Sequence, residues 1–322
     1  MAAMKFSVII PVYKNEDSIQ RLLEALSTMS LELNGEMEAV FVIDGSPDQS
    51  FAMLRDNLPG LIFPAQILAH SRNFGSFPAI RSGLMAARGA YFGVMSADLQ
   101  EPPELLVTFF KSLEAGECDV VIGMRTGRND PLMTRLTSKI FWGMYRRLVV
   151  HDMPEGGVDI FGCNLAFRDQ LLKLEESRSS LIALIFWLGF QRKLVNYKRL
   201  ERRGGKSSWT LRKKIDYMMD SIFAFTDYPI KLLVRIGAIG CMLSVALGTM
   251  VLIGHLTGGI TVPGYAATML VVLFFGALNM LALGLVGTYT WRGYENSKRR
   301  PLAVVAMKYQ NQSGNDDQHQ NP

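Results

Sequence analysis

Two hydrophobic periods alternate along the first 125 residues. Lys5–Tyr13 (KFSVIIPVY) is a short β-branched run that reads as a buried strand ended by Pro11. Residues 16–31 carry Ile19, Leu22, Leu23 and Leu26 at helical spacing. MEAVFVIDGSPD then reads as a second strand running into a turn, and AQILAHSRNFG as a third. FPAIRSGLMAARG follows as a helix stopped by Gly89. AYFGVMSADLQ predicts a fourth strand, PPELLVTFFKSLEAGE a helix and CDVVIGMR a fifth strand. Strands alternating with helices predict an α/β fold with a doubly wound, mostly parallel sheet. Ligands of such sheets bind beyond the carboxyl ends of the strands, so the polar residues after each strand are the ones to weigh.

The pattern changes in the last third. Residues 130–150 (DPLMTRLTSKIFWGMYRRLVV) and 211–234 (LRKKIDYMMDSIFAFTDYPIKLLV) are basic and amphipathic, the second broken at Pro229. The first reads either as a surface helix or as one near anionic headgroups. The second leads into an apolar tract and reads as interfacial. Between Arg235 and Arg292 there is no Lys, Arg, Asp or Glu. Ile236–Leu256 and about Ala266–Tyr289 are each long enough to span a hydrocarbon core of roughly 30 Å. TGGITVPG supplies the turn between them. Lys231, Arg235, Arg292, Lys298, Arg299 and Arg300 flank the outer ends, and the short loop has no Lys or Arg. This asymmetry places both outer ends in the cytosol. The alternative is a pair of buried core helices. The tail after Lys308, YQNQSGNDDQHQNP, is polar and reads as disordered. The resulting domains are 1–210, a cytoplasmic sheet domain; 211–234, interfacial helices; 235–290, a membrane hairpin; and 291–322, a cytoplasmic tail disordered at its end.

The net charge of +5 admits nucleic acid, anionic lipid or anionic substrate, and the uncharged tract favours lipid over nucleic acid. Cys118, Cys163 and Cys241 show no paired spacing, which argues against a disulfide framework or a zinc site. The four histidines, His70, His151, His255 and His319, lack ligand spacing and read as structural or exposed. The N-terminal apolar run is too short for a signal peptide, so the sheet domain is expected to stay in the cytosol.

Asp98-Leu99-Gln100 ends the fourth apolar run. In an extended chain Asp98 and Gln100 share one side and Leu99 faces the core. Two oxygen ligands at a strand end suit a hard divalent cation that keeps water and phosphate as its other ligands. Pro102 and Pro103 stop the strand and start the next helix. Taken alone, the stretch reads equally as a polar turn.

Four stretches occur in order: VIIPVYKNED, VIDGSPDQS, SRNFGSFPAIRSG and SADLQEPPE. Together they resemble the family 2 glycosyltransferases of the GT-A fold. That family's usual forms are Pro-Val-Tyr-Asn-Glu-Glu, Asp-Asp-Gly-Ser, Arg-Asn-Phe-Gly and Asp-Ala-Asp-Leu-Gln-x-Pro-Pro. More narrowly, the chain resembles the polyprenyl-phosphate glycosyltransferases, relatives of dolichol-phosphate mannose synthase and of bacterial undecaprenyl-phosphate sugar transferases. These place two membrane helices after the catalytic domain. The resemblance runs from residue 5 to about 305. Ile43 stands where the family has the first Asp of Asp-Asp-Gly-Ser, Ser96 where it has the first Asp of Asp-Ala-Asp, and Lys14 where Asn is usual.

The resemblance implies roles for individual residues. Pro11, Tyr13, Glu16, Asp44 and Arg72 would bind the nucleotide of a nucleotide-sugar donor. Asp98 and Gln100 would hold Mg²⁺ or Mn²⁺. Arg125, in GMRTGRND, with Arg135 and Ser138, would meet phosphate groups, since guanidinium matches phosphate oxygens bidentately. EGGVDIFGCNLAFRD matches the family's Gly-x-Asp-Phe-x-Leu-x-x-Arg region and puts Asp159 on its acidic position. A general base is the obvious role for Asp159. A phosphate acceptor is already ionised, however, so the carboxylate would orient the acceptor or a sugar hydroxyl; the alternative is an Asp capping a turn. ERRGGKSSW resembles the family's Arg-x-x-Gly-x-Ser-x-Tyr loop through Arg202, Gly205, Ser207 and Trp209, with Ser208 where Lys is usual. GKS at 205–207 is not a Walker A motif, because position 200 is Leu.

The implied activity is transfer of a sugar, glucose as first choice, from a UDP-linked nucleotide-sugar donor to undecaprenyl phosphate. The expected location is the cytoplasmic face of a bacterial inner membrane, with both termini cytoplasmic, an inverting and metal-dependent reaction, and self-association left open. Two alternatives stand beside it. A processive polysaccharide synthase usually carries Gln-x-x-Arg-Trp and more spans; FQRKLV lacks the Trp. A non-catalytic membrane scaffold would keep the fold without activity, with Ile43 and Ser96 as its support.

Overall fold

A computed structural model describes residues 4–125, 142–147, 149–150, 152–153, 158–176, 179–200, 211–257 and 264–311. The strands are β1 (Phe6–Val12), β2 (Met37–Ile43), β3 (Ala65–His70), β4 (Tyr91–Val94), β5 (Val120–Arg125), β6 (Val158–Asn164), β7 (Arg192–Tyr197) and β8 (Val305–Gln310). They form one sheet in the order β7-β5-β6-β4-β1-β2-β3-β8. β1, β2, β3 and β4 run parallel, as do β5 and β7; β6 and β8 are antiparallel to their neighbours. The parallel strand ends therefore gather at one rim.

The helices of the sheet unit are α1 (Ile19–Glu32), α2 (Ser50–Asn57), α3 (Ser76–Ala86), α4 (Pro103–Glu114), α5 (Leu165–Leu172) and α6 (Leu181–Trp187). α1 buries Ile19, Leu22, Leu23 and Leu26, the stripe that the helical spacing predicts. α4 begins at Pro103, where a missing N–H costs nothing. It lays Leu106, Phe109 and Phe110 on the sheet with no exposed surface, each stabilising by about 1.5–3 kcal/mol. Gly93 of β4 makes that approach feasible, since a Cβ there would stand 2.8 Å from Leu106 Cδ2 and 2.9 Å from Phe110 Cζ.

Three features differ from the sequence reading. β4 stops at Val94, and Asp98 and Gln100 lie in a turn. Leu99 has φ 54°, so the alternation expected of an extended chain does not apply there. Leu99 nevertheless packs on the core. β6, over a stretch where the hydrophobic pattern predicted no strand, enters antiparallel between β4 and β5 of the mostly parallel sheet. Finally, Tyr309–Asn311, expected in a disordered tail, are ordered. β8 pairs with β3, and Asn311 donates to Leu58 O (3.2 Å) and Phe63 O (3.0 Å) and accepts from Ala65 N (2.6 Å).

The chain divides into two units, 1–213 with 300–322, and 214–299. The second holds most of α7 (Leu211–Phe225), with α8 (Tyr228–Leu256) and α9 (Tyr265–Ser297). Pro229 sits in the first turn of α8, and the helical path breaks at Thr226–Asp227 just before it. At 1.5 Å per residue α8 and α9 run for roughly 43 and 50 Å. Each contains a window long and apolar enough to cross a membrane, Tyr228–Leu247 and Phe274–Ser297. Almost none of either window is covered by the protein, unlike the buried core helices of the alternative reading. Arg292 of α9 pairs with Asp220 of α7 at 2.6 Å, and its guanidinium lies 5.1 Å from the centroid of the Phe223 ring. Trp291, Tyr294 and Lys298 cluster at the same helix end, a composition typical of a membrane–water interface.

Candidate active site

The loops after β1 and β2 are laced together. Lys14 N donates to Ser46 Oγ (2.7 Å), Asn15 N to Ser50 Oγ (3.1 Å) and Glu16 N to Asp48 Oδ2 (3.1 Å). Glu16 answers by accepting from Gln49 N (2.9 Å). Asp48, which no sequence motif singled out, is the hub. Partial burial pushes its carboxyl up, but hydrogen bonds from the Ser46 and Ser50 hydroxyls and the Glu16 and Ser50 amides outweigh this and hold it below the usual carboxylate range. The lacing leaves Tyr13 exposed at the rim, with Lys14 Nζ 5.4 Å from its ring centroid. Lys14 has φ 57°, a left-handed conformation that Asn adopts more readily than Lys.

Asp44 is buried, and its carboxylate is already engaged. Oδ1 accepts from Phe74 N (2.8 Å), Oδ2 accepts from Gly75 N (2.8 Å), and His70 Nδ1 lies 2.9 Å from Oδ1. His70 Nε2 is 2.9 Å from Ser82 Oγ on α3. An N–H at Nδ1 donating to the Asp44 carboxylate fits this geometry, with the Ser82 hydroxyl at the other ring nitrogen. Asn73 Nδ2 donates to the Asp44 carbonyl (3.2 Å). Gly45, at φ 60°, packs so closely that a Cβ would stand 2.4 Å from Arg72 C and Asn73 N. These contacts fasten the Arg72–Gly75 loop to the end of β2. Arg72 stays exposed, its guanidinium 4.1 Å from the Phe74 ring centroid. His70 is thus structural, as expected, and the turn around Asp44 is a built joint.

At the end of β4, Ser96 Oγ is 2.8 Å from Asp98 Oδ1 and also touches Glu101 Oε2. Glu101 is buried and Asp98 half-buried. A hydroxyl has one proton, so it donates to one of these carboxylates only, and the arrangement favours a nearby cation. Asp98 suits a hard divalent ion that takes its remaining ligands from water and diphosphate. Gln100 suits it less, because its amide oxygen accepts from Arg199 Nη2. Among the described residues no group of three His, Cys, Asp or Glu forms a metal cage. Arg125 ends β5 opposite Tyr197 of β7, so Arg125 and Arg199 leave from adjacent strand ends. The antiparallel course of β6 brings Val158 beside Met124, which puts the backbone of Asp159 at this same rim. Pro11, Tyr13, Glu16, Asp44, Arg72, Asp98, Gln100, Arg125 and Asp159 all belong to one rim of the sheet. Arg135, Ser138, Arg202 and Ser207 lie outside the described residues.

Residues 7–174 match the model of glycosyl transferase family 2. The chain belongs to that family. The match spans the strand-end loops just described, and the chain is a glycosyltransferase. Among curated relatives, the uncharacterized glycosyltransferase YkcC of Bacillus subtilis is 30% identical over 95% of this chain and 94% of its own length. The bactoprenol glucosyl transferase of Shigella phage SfV is 27% identical over 95% of this chain and all of its own length. Among solved structures, glucosyl-3-phosphoglycerate synthase from Mycobacterium tuberculosis, in complex with Mn²⁺, UDP and glucosyl-3-phosphoglycerate, aligns with a TM-score of 0.49. It is 16% identical and covers 69% of this chain and 78% of its own.

Proposed function

We propose that this glycosyltransferase moves glucose from a UDP-linked donor to undecaprenyl phosphate at the cytoplasmic face of a bacterial inner membrane. One observation carries the reading. The likeness to a bactoprenol glucosyl transferase runs through both units, the sheet and the uncovered apolar hairpin, over all of that relative's length. β8 belongs to the same sheet as β1, which supports a hairpin that enters and leaves the bilayer on one side, and the Lys and Arg flanks support the cytoplasm as that side.

The acceptor phosphate attacks the anomeric carbon of the donor. A new C1–O bond forms as the C1–O bond to the diphosphate breaks, and the bonding pair leaves with UDP. Attack opposite the departing group inverts the centre. The phosphate oxygen is already ionised, so no proton moves and Asp159 orients acceptor or sugar. In this reading Tyr13 stacks on the base, Pro11 and Glu16 shape its pocket, and Asp44 sets the pocket's far wall by holding the Arg72–Gly75 loop. Arg125 meets the phosphates together with Arg135, Ser138, Arg202 and Ser207, since two anions must approach each other. Mg²⁺ or Mn²⁺ held by Asp98 would neutralise charge on the leaving diphosphate.

The test is transfer by the full chain in detergent, with undecaprenyl phosphate and a panel of labelled UDP- and GDP-sugars. Label from UDP-glucose should enter the lipid phase, and chelator should stop it. Asp98→Ala should lower the rate by at least about a hundredfold while the protein still inserts and folds. Full activity in that variant sinks the metal assignment, and no transfer from any donor by folded protein sinks the function.

A further inference from the structure

Arg199 lies in no motif quoted above, yet it is wired into the turn that carries Asp98. Its Nη2 donates to the amide oxygen of Gln100, and its Nε stands 4.0 Å from Oε1 of buried Glu101. The next residue continues the attachment through the main chain, where Leu200 N donates to Gln100 O at 2.9 Å. Two consecutive residues after β7 are therefore seated on two consecutive residues of the turn after β4. That turn is strained at Leu99 and needs something to hold its shape. The chain carrying Arg202 and Ser207 begins one residue beyond the attachment.

We propose that Arg199 is a positioning residue of the donor site, which clamps the Ser96–Glu101 turn and takes Gln100 as its hydrogen-bond acceptor, so that Gln100 is not a ligand of the divalent cation. The physical ground is charge. An amide oxygen has two lone pairs, but a guanidinium and a divalent cation converging on one such oxygen repel each other strongly at that distance. Arg199 also supplies the positive charge that buried Glu101 requires. Asp98 is then the residue of the turn that serves the metal, and the clamp fixes where it stands.

This inference rests on the donor-site reading above, and the experiment has two arms so that the two can fail separately. The first uses hydrogen exchange on the full chain in nanodiscs, without donor or metal. Arg199→Ala and Gln100→Ala should each speed exchange in peptides spanning 96–106 and 192–200 by about tenfold or more. Arg199→Lys, which keeps the charge without the planar fork, should recover part of that protection. Unchanged exchange in Arg199→Ala overturns the clamp. The second arm titrates Mn²⁺ in the presence of UDP by electron paramagnetic resonance. Gln100→Ala and Arg199→Ala, which break the same clamp, should lower Mn²⁺ affinity to the same extent within about twofold, and Asp98→Ala should lower it at least about tenfold. A loss in Gln100→Ala about tenfold beyond that in Arg199→Ala makes Gln100 a ligand and overturns the proposal. The turnover of the double variant Arg199→Ala/Gln100→Ala should match that of the worse single variant, as expected of groups acting as one unit. Additive losses count against the clamp. Wild-type protein that shows the exchange pattern but binds no Mn²⁺ with UDP overturns the donor-site reading and leaves the clamp standing.

Discussion

Asp44→Ala separates a residue that touches nucleotide from one that builds the wall of its pocket. The carboxylate serves the Phe74 and Gly75 amides at 2.8 Å each and the His70 ring at 2.9 Å, in a site where Asp44 is 3% exposed. Removing it strands two main-chain donors and one imidazole N–H. A buried donor left unsatisfied costs about 1–3 kcal/mol. Three that share one loop do not add fully, which gives about 3–5 kcal/mol. At about 2–4 °C per kcal/mol, the sheet unit should melt on the order of 10 °C lower. His70→Leu removes one of the three bonds and should lower the melting point by about a third as much. The decisive comparison is calorimetric UDP binding by both variants at a temperature where both are folded. His70 is buried behind Asp44 and cannot reach a nucleotide, yet its loss loosens the Arg72–Gly75 loop, so UDP affinity should fall in both. If Asp44→Ala melts within about 1 °C of wild type while losing UDP, and His70→Leu binds UDP normally, the structural role assigned to Asp44 is wrong.

Three further outcomes follow from the same contacts. The Asp48 carboxyl is held below its usual value, so its contribution is fully present above that value and is lost as pH falls through the lowered one. Pepsin should therefore spare residues 13–50 above the usual carboxylate range and cut them progressively as pH falls below it, whereas Asp48→Asn should be cut in both ranges. Asn311→Ala frees two carbonyls and one amide at the sheet edge; a loss of about 1–3 kcal/mol should show as faster hydrogen exchange in β8 and nowhere in α8 or α9. A cysteine introduced between residues 257 and 265 should be labelled by an impermeant thiol reagent from the periplasmic side; labelling that requires cytoplasmic access contradicts the assigned topology.

β1, β2, β3 and β5 were readable because parallel strands buried on both faces appear as unbroken apolar runs, and the polar residues that follow them are the rim. The fourth run misled for the same reason. Met95 and Ala97 are as buried as a strand, but the chain turns there, and apolarity alone does not report φ at Leu99. β8 escaped notice because this edge strand is exposed at every position but Tyr309 and so shows no buried apolar face, and its pairing partner β3 lies far upstream in the chain. Arg199 had no local signal at all, since the amide it holds is 99 positions away. Asp48 and His70 illustrate the converse. Their residue types were in plain view, but a carboxylate or an imidazole becomes a hub only through the geometry of neighbouring loops.

The return of the chain to the sheet at β8 has a bearing on biosynthesis. The edge of β3 is completed by residues that the ribosome makes after both apolar helices. Until then β3 presents an open row of main-chain donors and acceptors, a template for unwanted pairing. Closing that edge must wait until residues 214–299 have been made, so under the proposed topology delivery of the two apolar helices to the bilayer precedes completion of the sheet. A fragment ending at residue 210 would be left permanently at that unfinished stage. A version of the enzyme lacking the two apolar helices would instead need to keep β8 to close the sheet.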